Sequence, residues 1–186
     1  MKNFRLSIYI LFSSALVNSL LMADEQSSQR DLKNKIYNFS SKNIDENMLT
    51  KWKLTGLFLE KYDDNYTFIK NPKLKVFDSN LVTNISSEIA IDPTGEMNEV
   101  YLKSNVFINR HDVKNTDIVK LYTSYAIFYL PQDLVETDRD VTIITSDSTT
   151  TGNGLSANLR EGLITILSNA ERTIKEGDQL QTIKGN

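Results

Sequence analysis

The sequence predicts an all-β domain of antiparallel strands behind one N-terminal membrane helix. Three observations carry the prediction. From Lys51 onward, short runs rich in β-branched and aromatic residues alternate apolar and polar at period two. No amphipathic helix of ordinary length interrupts them. At the other end, residues 6–23 form an uncharged, mostly apolar stretch behind Lys2 and Arg5.

As a helix that stretch would reach about 27 Å, close to the roughly 30 Å depth of a bilayer's hydrocarbon. A cleaved leader is the rival reading, with Ala23 beside the cut, but Leu21 stands where a small residue is wanted. Residues 1–23 are therefore read as a retained anchor. The positive charges ahead of it direct the remainder away from the cytoplasm. Ser7, Ser14 and Asn18 share one face of the helix, which suits packing against other membrane helices. Residues 24–50, rich in Ser, Asn and Lys, read as a tether with room for one short strand at KIYNF.

The runs WKLTGLFLEKY, NYTFIK, KLKVFD, NEVYLKSNVFIN, DIVKLYTSYAIFYL, DVTIIT and GLITIL then follow as strands. Turn residues in NPK, DPTGE, RHDVKN and LPQD separate them. The β-domain is read as residues 51–176, and 177–186 as a flexible tail. A degenerate repeat starts at Ser87, Ser124 and Asn153. Each copy holds a strand, a turn and a second strand, then Asn105, Asp140 or Asn169. Stacked rungs of this kind bury an apolar interior that no single rung could bury alone.

One stretch, TGNGLSANL, has the G-x-G-x-x-A spacing of a dinucleotide loop through Gly152, Gly154 and Ala157. Such a loop must open a helix within a βαβ unit. Here GLITIL follows at once with period two, so Gly152 and Gly154 are read as a turn between strands. Other chemistry is equally thin. There is no cysteine, and the one histidine, His111, reads as an exposed turn residue in NRHDVKN. No G-x-S-x-G, paired histidines or triad occurs, and Asp138 and Asp140 read as solvated turn carboxylates. No catalytic residue, metal site or cofactor is expected. A net charge of -3 argues against a general nucleic-acid binder.

The ordered set of strands carries a resemblance. WKLTGLFLEKYDDNYTFIKNPKLKVFD holds Trp52, Leu54 and Tyr62, then Pro72, Leu74, Phe77 and Asp78. VYLKSNVFIN, TSYAIFYLPQDLV and GNGLSANLR follow in the same order. With the anchor, this set resembles the LptC family of lipopolysaccharide export proteins. Thr145, Ser146 and Ser104 stand where that family often has glycine. The resemblance implies an open OstA-like β-jellyroll in the periplasm, held to the inner membrane and without enzymatic activity. It further implies that lipopolysaccharide is received from the LptBFG ABC transporter and passed to the bridge protein LptA. A cleaved soluble relay and a lipid-free β-scaffold are the alternatives.

Alternation splits AIFYLP into two faces, and the resemblance turns Ala126, Phe128 and Leu130 inward. The apolar set of VYLKSNVFI is Val100, Leu102, Val106 and Ile108, continued by Leu155, Ala157 and Leu159, then Ile164 and Ile166. Trp52, Leu54, Phe68, Ile69 and Leu74 would stand near the entrance. Inward apolar residues of any β-sandwich follow the same pattern; lipid contact is what the resemblance adds. It also implies strand addition at open edges. The transporter would meet the edge around Ile36 and Phe39. LptA would meet the edge around Ala170, Arg172 and Ile174, with Glu171 and Lys175 tuning the contact.

Overall fold

A computed structural model describes residues 30–114, 116–176 and 179–184. The anchor expected over residues 1–23, with Ser7, Ser14 and Asn18, lies outside the described residues. No helix among the described residues is long and apolar enough to cross a membrane. Among the described residues twelve strands form one antiparallel sheet, with a 3-10 turn at Leu130–Gln132 between the eighth and ninth strands in chain order.

The first strand, β1 (Leu32–Ile44), is longer than KIYNF and takes in about half of the expected tether. It pairs along β2 (Thr50–Tyr62). Four short strands follow: β3 (Thr67–Lys70), β4 (Lys73–Asp78), β5 (Leu81–Ser86) and β6 (Ile89–Asp92). Then come β7 (Glu99–Asp112), β8 (Asp117–Tyr129), β9 (Leu134–Ile144), β10 (Ser148–Asn158), β11 (Leu163–Glu176) and β12 (Gln179–Lys184). From β7 onward each strand pairs with the next. On its other side β7 pairs with both β5 and β6, which closes the circuit β7–β5–β4–β2–β3–β6. The later strands form no such circuit.

The long strands share an irregular level. Ser104 and Asn105 have φ of 62° and 52°, Gly154 71° and Asn169 52°. Register shifts fall beside them, in β7–β8, β8–β9, β9–β10 and β10–β11. These are bulges, which bend a strand and sharpen its twist. The bend is large. Through the ladders Asn158, the residue before Leu159, stands level with Glu99, eleven residues along β7 from Arg110. On a straight sheet that is roughly 36 Å at about 3.3 Å per residue. Yet the Arg110 guanidinium donates to the Leu159 carbonyl. The sheet is therefore folded over along the bulge line, and its two halves face each other.

Several expectations are corrected here. Gly152 and Gly154 lie inside β10, not at a reversal of the chain; the reversal is at residues 159–162. Gly152 is required by close approach, since a Cβ there would stand 2.4 Å from Ile166 and 3.0 Å from the Ser168 carbonyl. Gly154 supplies the positive φ of the bulge. Asn105, Asp140 and Asn169 sit within their strands, not between pairings. Asn153 Nδ2 donates to Asp140, and Asn169 Nδ2 to Asn153 Oδ1 at 2.6 Å, so polar side chains run along the crease. Ser104 adopts the left-handed backbone that glycine favours, and Thr145 and Ser146 need no positive φ.

His111 is no exposed turn residue: β7 runs through it and leaves it 7% exposed. Its Nδ1 lies 2.8 Å from the Asp112 carbonyl, which can only accept. Nδ1 therefore carries the proton it donates there, and Nε2 lies 2.9 Å from Asn84 Nδ2. Residues 179–184, expected in a flexible tail, form β12 on β11. The signal was present: Glu-Gly-Asp-Gln between two alternating runs is a two-residue hairpin pattern.

Candidate functional site

Alternation builds the inner face. On β7, Val100, Leu102, Val106 and Ile108 are buried. Across the ladder, Phe128 faces Val100 and Ala126 faces Leu102. Leu155 and Ala157 on β10, Leu54 on β2 and Ile69 on β3 are buried with them. Trp52, Leu74, Leu130, Leu159, Ile164 and Ile166 are partly buried and packed against it. Phe68 departs from the expectation. It neighbours Ile69 on a regular strand, so it must point to the opposite face. There it stacks on Phe58 at 5.9 Å, next to Tyr37 in an outer aromatic row.

The two ends of this interior differ. Inside the closed circuit, Leu54, Ile69, Leu74, Val100, Leu102 and Phe128 surround a void of only about 20 Å³, room for about one water. At the other end, between the two halves of the folded sheet, a cavity of about 720 Å³ opens. Its walls include Leu81, Val119, Ile143, Leu159, Ile164 and Ile166. Sequence reasoning named the last three. Ile143 was within reach, since alternation with Val141 along DVTIIT turns it inward; Val119 was not, because β8 changes parity at its irregularity between Leu121 and Ala126. Leu81 was missed because LVTNIS was not read as a strand.

Arg110 enters the same cavity. It stands two residues beyond Ile108 and therefore on the same face of β7. Arg160 and Arg172 stand at the rim with Glu161. Arg160 already meets Asp133 at 2.6 Å, and Arg172 lies 3.7 Å from Asp147. Among the described residues no group of His, Cys, Asp and Glu could hold a metal.

Ile36 and Phe39 lie on β1, which pairs only with β2 among the described strands and so leaves its other edge open. Phe39 packs against the core across Gly56, while Ile36 is 51% exposed. The C-terminal expectation is corrected. Arg172 and Ile174 are paired on both sides, with β10 and with β12, so they offer no free edge. Ala170 lies just outside the β12 ladder. What β12 leaves uncovered on β11 is residues 163–170, where Leu163 and Leu167 are 61% and 63% exposed.

The β1 edge is fastened by charge. Lys35 Nζ meets Glu60 Oε1 at 2.6 Å and lies over the Phe58 ring. The Lys35 hydrogen bond, helped by Tyr62, holds the Glu60 carboxyl below the ordinary 4.5. A depressed folded-state value means stability present above 4.5 and lost as pH falls through the lowered value. Glu60→Gln should therefore melt below the wild type at pH 7, and the gap should close on acidification below 4.5. A gap unchanged down to pH 3 would show that this pair does not fasten β1.

A twelve-stranded antiparallel sheet, folded over an apolar interior that opens into a cavity, defines a β-jellyroll-like protein with an internal trough. The family model described as lipopolysaccharide-assembly, LptC-related matches residues 6–175, and the chain belongs to that family. The family serves lipopolysaccharide transport in the bacterial envelope and is not known as an enzyme family. No curated protein matches the chain.

Proposed function

We propose that this chain is an inner-membrane-anchored periplasmic carrier that receives lipopolysaccharide from the LptBFG transporter and passes it to LptA. The observation that carries the reading is the aliphatic cavity of about 720 Å³ between the halves of the folded sheet. Acyl chains gain about 0.8 kcal/mol for each CH₂ removed from water, and sites of 300–1,000 Å³ are the usual size for small ligands. The sugars would remain at the mouth. Family membership supplies the identity of the lipid. The incoming partner would pair with the open edge of β1. The outgoing one would meet the C-terminal edge, at β12 and the uncovered part of β11.

A photo-crosslinking residue at Ile166, on the cavity wall, tests this in the full-length chain in living cells; Leu167, turned to the other face, is the control. Lipopolysaccharide is expected on Ile166 alone. Adducts at both positions, or at neither, would refute the trough as the lipid's path.

A further inference from the structure

We propose that Arg110 is an anion-receiving site inside the cavity, taking the phosphate-type head of an acylated amphiphile whose chains lie on the aliphatic wall. The proposal rests on reading the chain as a lipid carrier and adds how the polar end is held. Arg110 is 8% exposed and lines the cavity. A guanidinium keeps its charge in proteins, and burying a charge without a counter-charge is costly. Its partner is neutral: the Leu159 carbonyl accepts from Nη1. No carboxylate lies within ion-pair distance of it among the described residues.

The neighbours do not supply one. Arg160 and Arg172 bind Asp133 and Asp147 themselves, and Glu161, on the rim, makes no ion pair with Arg110. A methionine or leucine at position 110 would fill the space without any such penalty. The cation is intelligible when an anion arrives. Space is present too. Residue 162 is glycine, and where its Cβ would stand the nearest atom is Arg110 Nη1, at 3.9 Å. A phosphate presents two oxygens to the planar fork of donors that a single carbonyl leaves largely unused. A fatty-acid carboxylate presents the same pair, so the two sources must be separated by experiment.

The test uses the purified full-length chain in mild detergent, with binding read by native mass spectrometry. The probes are bisphosphorylated lipid A, lipid A with both phosphates removed, and palmitate. Wild type is expected to prefer the phosphorylated form by about tenfold or more, as for one charge-assisted hydrogen-bonded contact. Arg110→Met should abolish the preference while leaving the dephosphorylated lipid bound as before. Arg110→Lys should keep part of it, and it carries the same comparison if the methionine variant does not fold. Equal loss of both lipid A forms in Arg110→Met would make Arg110 a clasp between the sheet halves and overturn the proposal. Arg110-dependent capture of palmitate in preference to lipid A would overturn the phosphate assignment. Failure of the wild type to bind either lipid A would instead overturn the carrier reading.

Discussion

Leu155→Ala is expected to destabilise the domain by about 3–4 kcal/mol, lowering the thermal midpoint by roughly 10 °C. Leu155 is 0% exposed and stands immediately after the Gly154 bulge, between Ile166 on one ladder and Thr137 on the other. The crease fixes the backbone on either side, so the site cannot collapse onto the space a leucine leaves. Truncation therefore removes both the transferred methyl groups and their packing partners. Leu167→Ala on the same ladder removes a side chain 63% exposed and should change stability by less than about 0.5 kcal/mol. Guanidinium unfolding of the two variants checks the pair. Equal effects would mean that the facing of β10 and β11 is wrong.

Gly56→Val should cost about 2 kcal/mol through overpacking and loosen β1 before the rest of the sheet. A Cβ on Gly56 would stand 2.6 Å from the Phe39 ring, 3.0 Å from Ile69 and 3.1 Å from the Lys70 carbonyl. Phe39 can swing away, because β1 is an edge strand. Ile69, 1% exposed, and the backbone carbonyl cannot. Adding Phe39→Ala should therefore recover only part of the loss. Amide exchange read strand by strand checks this: β1 should lose protection first in Gly56→Val. Full protection of β1 in that variant would show that Phe39 does not cross Gly56.

The parts legible in the sequence were those where one physical signal acts alone. Strict alternation gave the strands and, at Val100 and Leu102, their facing, because a strand with one buried face must repeat every two residues; at Ala126 and Phe128 both faces are apolar, and the family resemblance supplied the facing. Phe68 failed where two apolar neighbours, Phe68 and Ile69, leave parity undecided without the partner strand. The strand STTTGNGLSAN carries few apolar residues and two glycines, so composition argued for a turn. There the requirement came from other strands: Ile166 and the Ser168 carbonyl exclude a Cβ at 152.

The site itself was half legible. Its aliphatic wall follows from alternation, but its cation does not. Arg110 sits in NRHD, a run whose polarity reads as a loop, and its inward position appears only once β7 is seen to continue through Asp112. The cavity exists because the sheet folds over. That depends on Asn105, Asp140, Asn153 and Asn169 falling at one level through the ladders. Each was visible as a polar break; their common level is a property of register, which no single segment encodes.

The crease has a consequence for scale. Because the bulges lie level from β7 to β11, the fold line crosses the strands, and the space between the halves extends from strand to strand along the sheet. Its cross-section is set by strand length on either side of the crease, and its length by the number of strands. Another sheet folded in the same way, joined edge to edge, would lengthen the gutter without changing its width. A carrier built on this plan is a segment of conduit, and its capacity grows by tiling.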